Sequence, residues 1–156
     1  MIPKQITIHH SASRRDTTTL DDINSWHKAR FNFISSLGFY VAYHYLVLSN
    51  GEVKQCRRDN ELGAHSPPND GKIGVCLTGN FNEEEPTDAQ IKSLETLVTK
   101  LKKDYNMIDD ILSPKVRGHR EFNKTECPGI NLHKWVLLQR ISWLKYLISL
   151  FLKGRK

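Results

Sequence analysis

Residues 41–57 read VAYHYLVLSNGEVKQCR, and this stretch decides the fold class. From Val41 to Leu48 the chain is dominated by β-branched, aromatic and aliphatic side chains, the composition of a strand. Ser49-Asn50-Gly51-Glu52 follows, and Asn-Gly tolerates the positive φ angles of a tight hairpin turn. Val53 to Arg57 is then the return strand. Strand alternation would send Tyr43 and His44 to opposite faces of the sheet.

Working outward, Lys4 to His10 alternates and carries Ile6, Thr7 and Ile8, so it reads as another strand. Thr19 is placed to cap a helix with Asp21 and Asp22 in its first turn. Ile23, Trp26, His27 and Arg30 recur at helical spacing. Downstream, Lys72 to Thr78 (KIGVCLT) is a buried strand. Thr87-Asp88-Ala89-Gln90 is a capping box. It opens a helix with Ile91, Leu94, Leu97, Val98 and Leu101 on one face. Val116 to His119 is a short strand end, Cys127-Pro128-Gly129 a loop, and a last helix runs from about Leu132 to Lys153. The order β-α-β-β-β-α-β-α predicts an α/β fold: a single domain with a mixed central β-sheet flanked by helices.

Composition narrows the partners. A chain of 156 residues, 38% apolar and 26% charged, suits one globular domain with one sizeable core. The net charge of +6 and pI near 9.3 favour polyanions such as nucleic acid, anionic lipid or a cell-wall polymer. The charges are scattered and no nucleic-acid motif appears, so nucleic acid is not expected. Cys56, Cys76 and Cys127 are too few for a disulfide framework. Cys56 and Cys76 read as small apolar residues buried in strands. Met1-Ile2-Pro3-Lys4 runs into the first strand without an apolar leader, so the expected location is the cytoplasm before any release.

His9 and His10 end the first strand, and His119 and Cys127 lie eight residues apart in VRGHREFNKTECPG. Two imidazoles and a thiolate suit zinc, whose catalytic sites use three protein ligands. Spacing alone does not separate this from surface histidines and one buried thiol.

IHHSAS (8–13), VAYHYLV (41–47) followed by NGEV (50–53), ELGAHS (61–66), IGVCLTGNF (73–81) and GHREFNKTECPG (118–129) occur in that order. Together they resemble the type 2 N-acetylmuramoyl-L-alanine amidase family, which includes phage amidase lysozymes and peptidoglycan recognition proteins. The likeness covers roughly residues 4 to 135. It implies a Zn²⁺ ion in a surface cleft, held by His9, His119 and Cys127. His9 is chosen over His10 because the first member of the family's pair binds the metal, and His10 would then face the other way. Tyr43 matches the family's active-site tyrosine. Thr125 stands where some phage members carry lysine and many recognition proteins carry threonine, with a hydroxyl that can donate to a developing oxyanion. No carboxylate is singled out as a base; Glu126 merely adjoins a ligand.

The same resemblance makes His65 a substrate-cleft histidine, against the plainer reading of a solvated loop histidine. Asn80 either holds the cleft wall or touches the stem peptide. Trp26 is a platform under a sugar or, as its helical spacing favours, part of the core. The implied reaction is zinc-dependent hydrolysis of the amide between N-acetylmuramic acid and L-alanine in peptidoglycan, in the role of a phage endolysin. The alternatives are a cytosolic muropeptide-recycling amidase, whose relatives generally use Asp as third ligand, and a peptidoglycan-binding protein that typically lacks the cysteine.

The amidase domain is expected over residues 1–135 and a basic amphipathic helix over 136–156. In that tail Gln139, Ser142, Lys145, Tyr146, Ser149 and Lys153 share one side, with Leu137, Ile141, Leu144, Leu147, Ile148 and Phe151 around the rest. The apolar run is shorter than the ~20 residues that span a bilayer. It reads as a core-packed or self-associating helix, or as one lying on an anionic membrane surface.

Overall fold

The computed structural model describes residues 1–109 and 113–140. Its elements are strand β1 (Gln5–His10), helix α1 (Leu20–Phe31), strands β2 (Tyr45–Val47), β3 (Val53–Gln55) and β4 (Lys72–Leu77), helix α2 (Asp88–Asp104) and strand β5 (Val116–Gly118). A 3₁₀ turn (His119–Glu121) follows, and residues 130–140 are helical. The sheet order is β3-β2-β4-β1-β5. β1 runs parallel to β4 and β5, β2 runs parallel to β4, and only the hairpin strand β3 is antiparallel. The chain is therefore a mixed sheet with helices on both faces.

Alternation along the strands sorts the interior into two layers. Ile6 and Ile8 of β1, Tyr45 and Val47 of β2, and Ile73, Val75 and Leu77 of β4 share a cluster with Leu94, Leu97, Val98 and Leu101 of α2. Leu132, Trp135 and Val136 join the same cluster, so the start of the last helix is core. Leu46 and Cys76 face the other way, towards Ile23 of α1, Val41 and Cys56. His9 pairs with Cys76 across the β1–β4 ladder and belongs to this second face. His10 follows the α2 side, where its Nδ1 accepts the Phe81 N–H at 3.2 Å.

The helix starts follow from reciprocal caps. Thr19 Oγ1 accepts from Asp22 N while Asp22 Oδ2 accepts from Thr19 N, and Thr87 and Gln90 repeat the device at α2. Gln90 does more: its fully buried amide donates to Thr78 O at 2.9 Å, pinning α2 to the end of β4.

The strand expected over 41–48 is shorter than its composition suggests. Only Tyr45–Val47 pairs as a strand, and 41–44 is bent. Its backbone groups are taken by other partners: Val41 O by Arg57 Nε, Ala42 N by His27 Nδ1, and Ala42 O by Ala64 N. Tyr43 and His44 consequently do not part to opposite faces; both rings pack on His65, at 6.2 and 5.6 Å between centroids. Most of the tail expected over 136–156 lies outside the described residues, and with it the expected membrane-facing surface.

Candidate metal centre

β1 and β5 are parallel neighbours, so their C-terminal ends open on the same edge of the sheet, the usual place for a site in an open α/β sheet. His9 is the penultimate residue of β1, and His119 directly follows β5. The loop after the 3₁₀ turn folds back, with Arg120 N donating to Cys127 O at 2.8 Å. That return brings Cys127 Sγ to 3.5 Å from His9 Nδ1. The His9 and His119 rings stand 4.6 Å apart. One donor atom from each of His9, His119 and Cys127 lies within 4.8 Å of the other two. Tetrahedral zinc with bonds of ~2.0–2.3 Å needs donors roughly 3.3–3.6 Å apart, so a small closure suffices. Two neutral imidazoles and one thiolate are also the donor types zinc takes. The residues present therefore fit the ion.

Each candidate ligand has a neighbour that holds it in place. His9 Nε2 is 3.1 Å from His65 Nδ1, and His119 Nε2 is 3.1 Å from Asn123 Oδ1. Cys127 N donates to Thr125 Oγ1 at 3.2 Å. Burial, reinforced by His65 and His119, keeps His9 neutral with its pKa well below the usual imidazole value. Burial also pushes the Cys127 thiol up to about 12 without a metal, so loading must release its proton.

Tyr43 stacks obliquely on His9, 5.0 Å between centroids, and on His27 at 5.2 Å. Its hydroxyl is held well above the usual phenol range by burial and by the nearby Cys76 and Cys127, so it stays a donor at neutral pH. A pocket of about 170 Å³ opens beside the ligands, lined by Tyr43, His65 and His119 together with His27, Arg30 and Phe31. His27 accepts the Ala42 N–H at Nδ1, 2.8 Å, which leaves its Nε2 protonated. Reading the sequence did not assign His27 or Arg30 to the site. The available signal was their place at i+4 and i+7 from buried Ile23, where a histidine and an arginine continue an apolar stripe.

The remaining predicted residues separate. His65 is only 6% exposed, so it is not a solvated loop histidine; it forms the floor beneath His9. Thr125 anchors the ligand loop through its oxygen and keeps its own hydrogen to donate. Asn80 lies in another groove, about 570 Å³, with residues 12–17, Glu83 and Glu84. Trp26 is 50% exposed, which overturns the core reading: among the described residues of α1 only Ile23 is buried. The indole instead lines a groove with Ser13, Arg14 and Thr17, residues that also border the Asn80 groove.

Comparison with known proteins agrees with this fold. The family described as N-acetylmuramoyl-L-alanine amidase matches residues 1–130. Peptidoglycan-recognition protein SC2 of Drosophila melanogaster is 30% identical over 127 residues, 80% of this chain and 67% of the relative. The endolysin of Escherichia phage T7 is 28% identical over 138 residues, 83% of each chain. Among solved structures, N-acetylmuramoyl-L-alanine amidase LysC from Clostridium intestinale URNW superposes with a TM-score of 0.70 at 31% identity, covering 84% of this chain and 79% of that one.

Proposed function

The chain belongs to the N-acetylmuramoyl-L-alanine amidase family, and from that premise we propose that it is a zinc hydrolase cutting the amide between N-acetylmuramic acid and L-alanine in peptidoglycan, in the role of an endolysin. The observation that carries the reading is the convergence of His9, His119 and Cys127 beside the Tyr43 pocket. The complete ligand set supports hydrolysis over binding alone. The T7 endolysin among its relatives supports the lytic role.

His9, His119 and Cys127 would hold the ion. When bound, zinc supplies Lewis acidity, which activates water at neutral pH and polarises the amide carbonyl. The chain's own groups do the rest. Tyr43, protonated at neutral pH, donates to the oxygen that gains charge in the tetrahedral transition state, or passes its proton towards the leaving alanine nitrogen. Thr125 offers a second hydroxyl from the ligand loop. Arg30, an exposed cation at the pocket without an ion pair among the described residues, is available to a stem-peptide carboxylate. The Trp26 and Asn80 grooves would extend the contact along the polymer, with the indole as a face for a sugar ring.

Clearing of purified sacculi tests the reading. Chelator-stripped protein should be inactive, and one equivalent of zinc should restore turbidity loss. Full activity in protein verified as metal-free would overturn it.

A further inference from the structure

His65 was expected at the substrate, yet the hydrogen-bond partner of its ring is a candidate ligand, His9. His9 is engaged at both nitrogens: Nδ1 faces Cys127 Sγ at 3.5 Å, and Nε2 faces His65 Nδ1 at 3.1 Å. Metal-binding histidines usually donate their second N–H to a carboxylate, carbonyl or water, and that partner fixes tautomer and ring direction. Here the partner is another imidazole, buried and ring-on-edge to His9 with an interplanar angle of 83°.

His65 is itself locked. A Cβ on Gly74 would sit 2.7 Å from its ring, and one on Gly63 would sit 2.5 Å away, so these glycines make the slot that admits the imidazole. His65 N donates to Asn69 Oδ1 at 2.9 Å. His44 stands edge-on behind it at 5.6 Å. His44 has no freedom either: Nδ1 accepts the Gly74 N–H at 3.0 Å, so Nε2 carries the proton and donates to Glu61 O at 3.0 Å.

Proton counting assigns the roles. A neutral His9 that presents a lone pair at Nδ1 must carry its hydrogen on Nε2. His65 Nδ1 must then accept it, and the His65 proton lies on Nε2, which is buried without a hydrogen-bond partner among the described residues. We propose that His65, seated between Gly63 and Gly74, is a positioning residue that holds His9 in its metal-binding tautomer and aims Nδ1 at the ion. The inference rests on the metal-centre reading above. A neutral imidazole in this place adds no negative charge, so two histidines and one thiolate leave the loaded centre at net +1.

Zinc affinity, measured by chelator competition on the full chain, tests this together with the visible spectrum of the cobalt(II)-loaded protein and Michaelis kinetics. His65→Leu removes the acceptor. It should weaken zinc binding ~10–100-fold and shift the cobalt bands. His65→Asn places an amide oxygen near the lost Nδ1 and should recover most of the affinity. Unchanged zinc affinity and cobalt bands in both variants, with only KM raised, would overturn the proposal and return His65 to the substrate. A wild-type chain that binds no zinc would instead overturn the metal centre itself. Should the leucine variant not fold, ¹⁵N NMR of zinc-loaded wild type decides: His65 protonated on Nε2 supports the proposal, and His65 protonated on Nδ1 contradicts it.

Discussion

Cys127 Sγ stands 3.5 Å from His9 Nδ1 although 118 residues separate them in the chain. The contact exists because β1 and β5 are parallel neighbours and the loop after β5 is tied back through Arg120. Replacing the sulfur tests whether that closure serves a metal. Cys127→Ser should keep the fold, since the loop's backbone hydrogen bonds remain. It should lose most zinc retention and hydrolysis, a hydroxyl being a poor substitute for thiolate. Metal analysis of the purified variant checks this; a full equivalent of zinc with normal activity would contradict it.

Among the described residues, Tyr43 is the hydroxyl-bearing ring that packs against His9. Tyr43→Phe preserves the ring packing and removes one donor. A drop in kcat of ~10²-fold or more, with the melting temperature little changed, is expected. Because its pKa is raised above the usual phenol value, the alkaline limb of the activity profile below pH ~10 should not belong to Tyr43. An unchanged kcat would leave it as packing only.

Acid should unfold the metal-free protein through its histidines. His10, His27 and His44 each accept a backbone N–H at Nδ1, and protonation would remove that lone pair. Burial first, then nearby arginines, holds His10 and His27 down at about 4. The unfolded chain takes up these protons below ~6.5 while the folded chain does not, so stability falls as pH drops from ~6.5 towards 4. Unfolding free energies from urea titrations at pH 7, 5.5 and 4.5 should decline in that order, by about a few kcal/mol in all. A flat series would contradict the buried-neutral assignment.

Trp26 separates contact from core. Half its surface is open, so Trp26→Ala should change stability by less than ~1 kcal/mol. It should weaken sedimentation with sacculi if the groove beside Ser13, Arg14 and Thr17 takes the polymer. A collapse in melting temperature would restore the core reading.

What the sequence made legible follows periodicity. The period of two sent His9 and His10 to opposite faces, and the capping residues marked both helix starts. The bend at 41–44 was hidden because its causes are distant in sequence: Arg57, His27 and Ala64 take hydrogen bonds that a strand partner would have taken. Trp26 was misjudged because helical spacing gives direction and not depth, and α1 buries little beyond Ile23. The support of His9 by His65 spans 56 positions and depends on two glycine slots that no local pattern announces.

Mass spectrometry of the products released from purified sacculi by the zinc-loaded protein tests the central claim most directly. The account predicts stem peptides with a new free amino group on L-alanine, glycan chains with newly freed lactyl carboxylates, and no new reducing ends. New reducing sugar ends, or cleavage within the stem peptide, would contradict it.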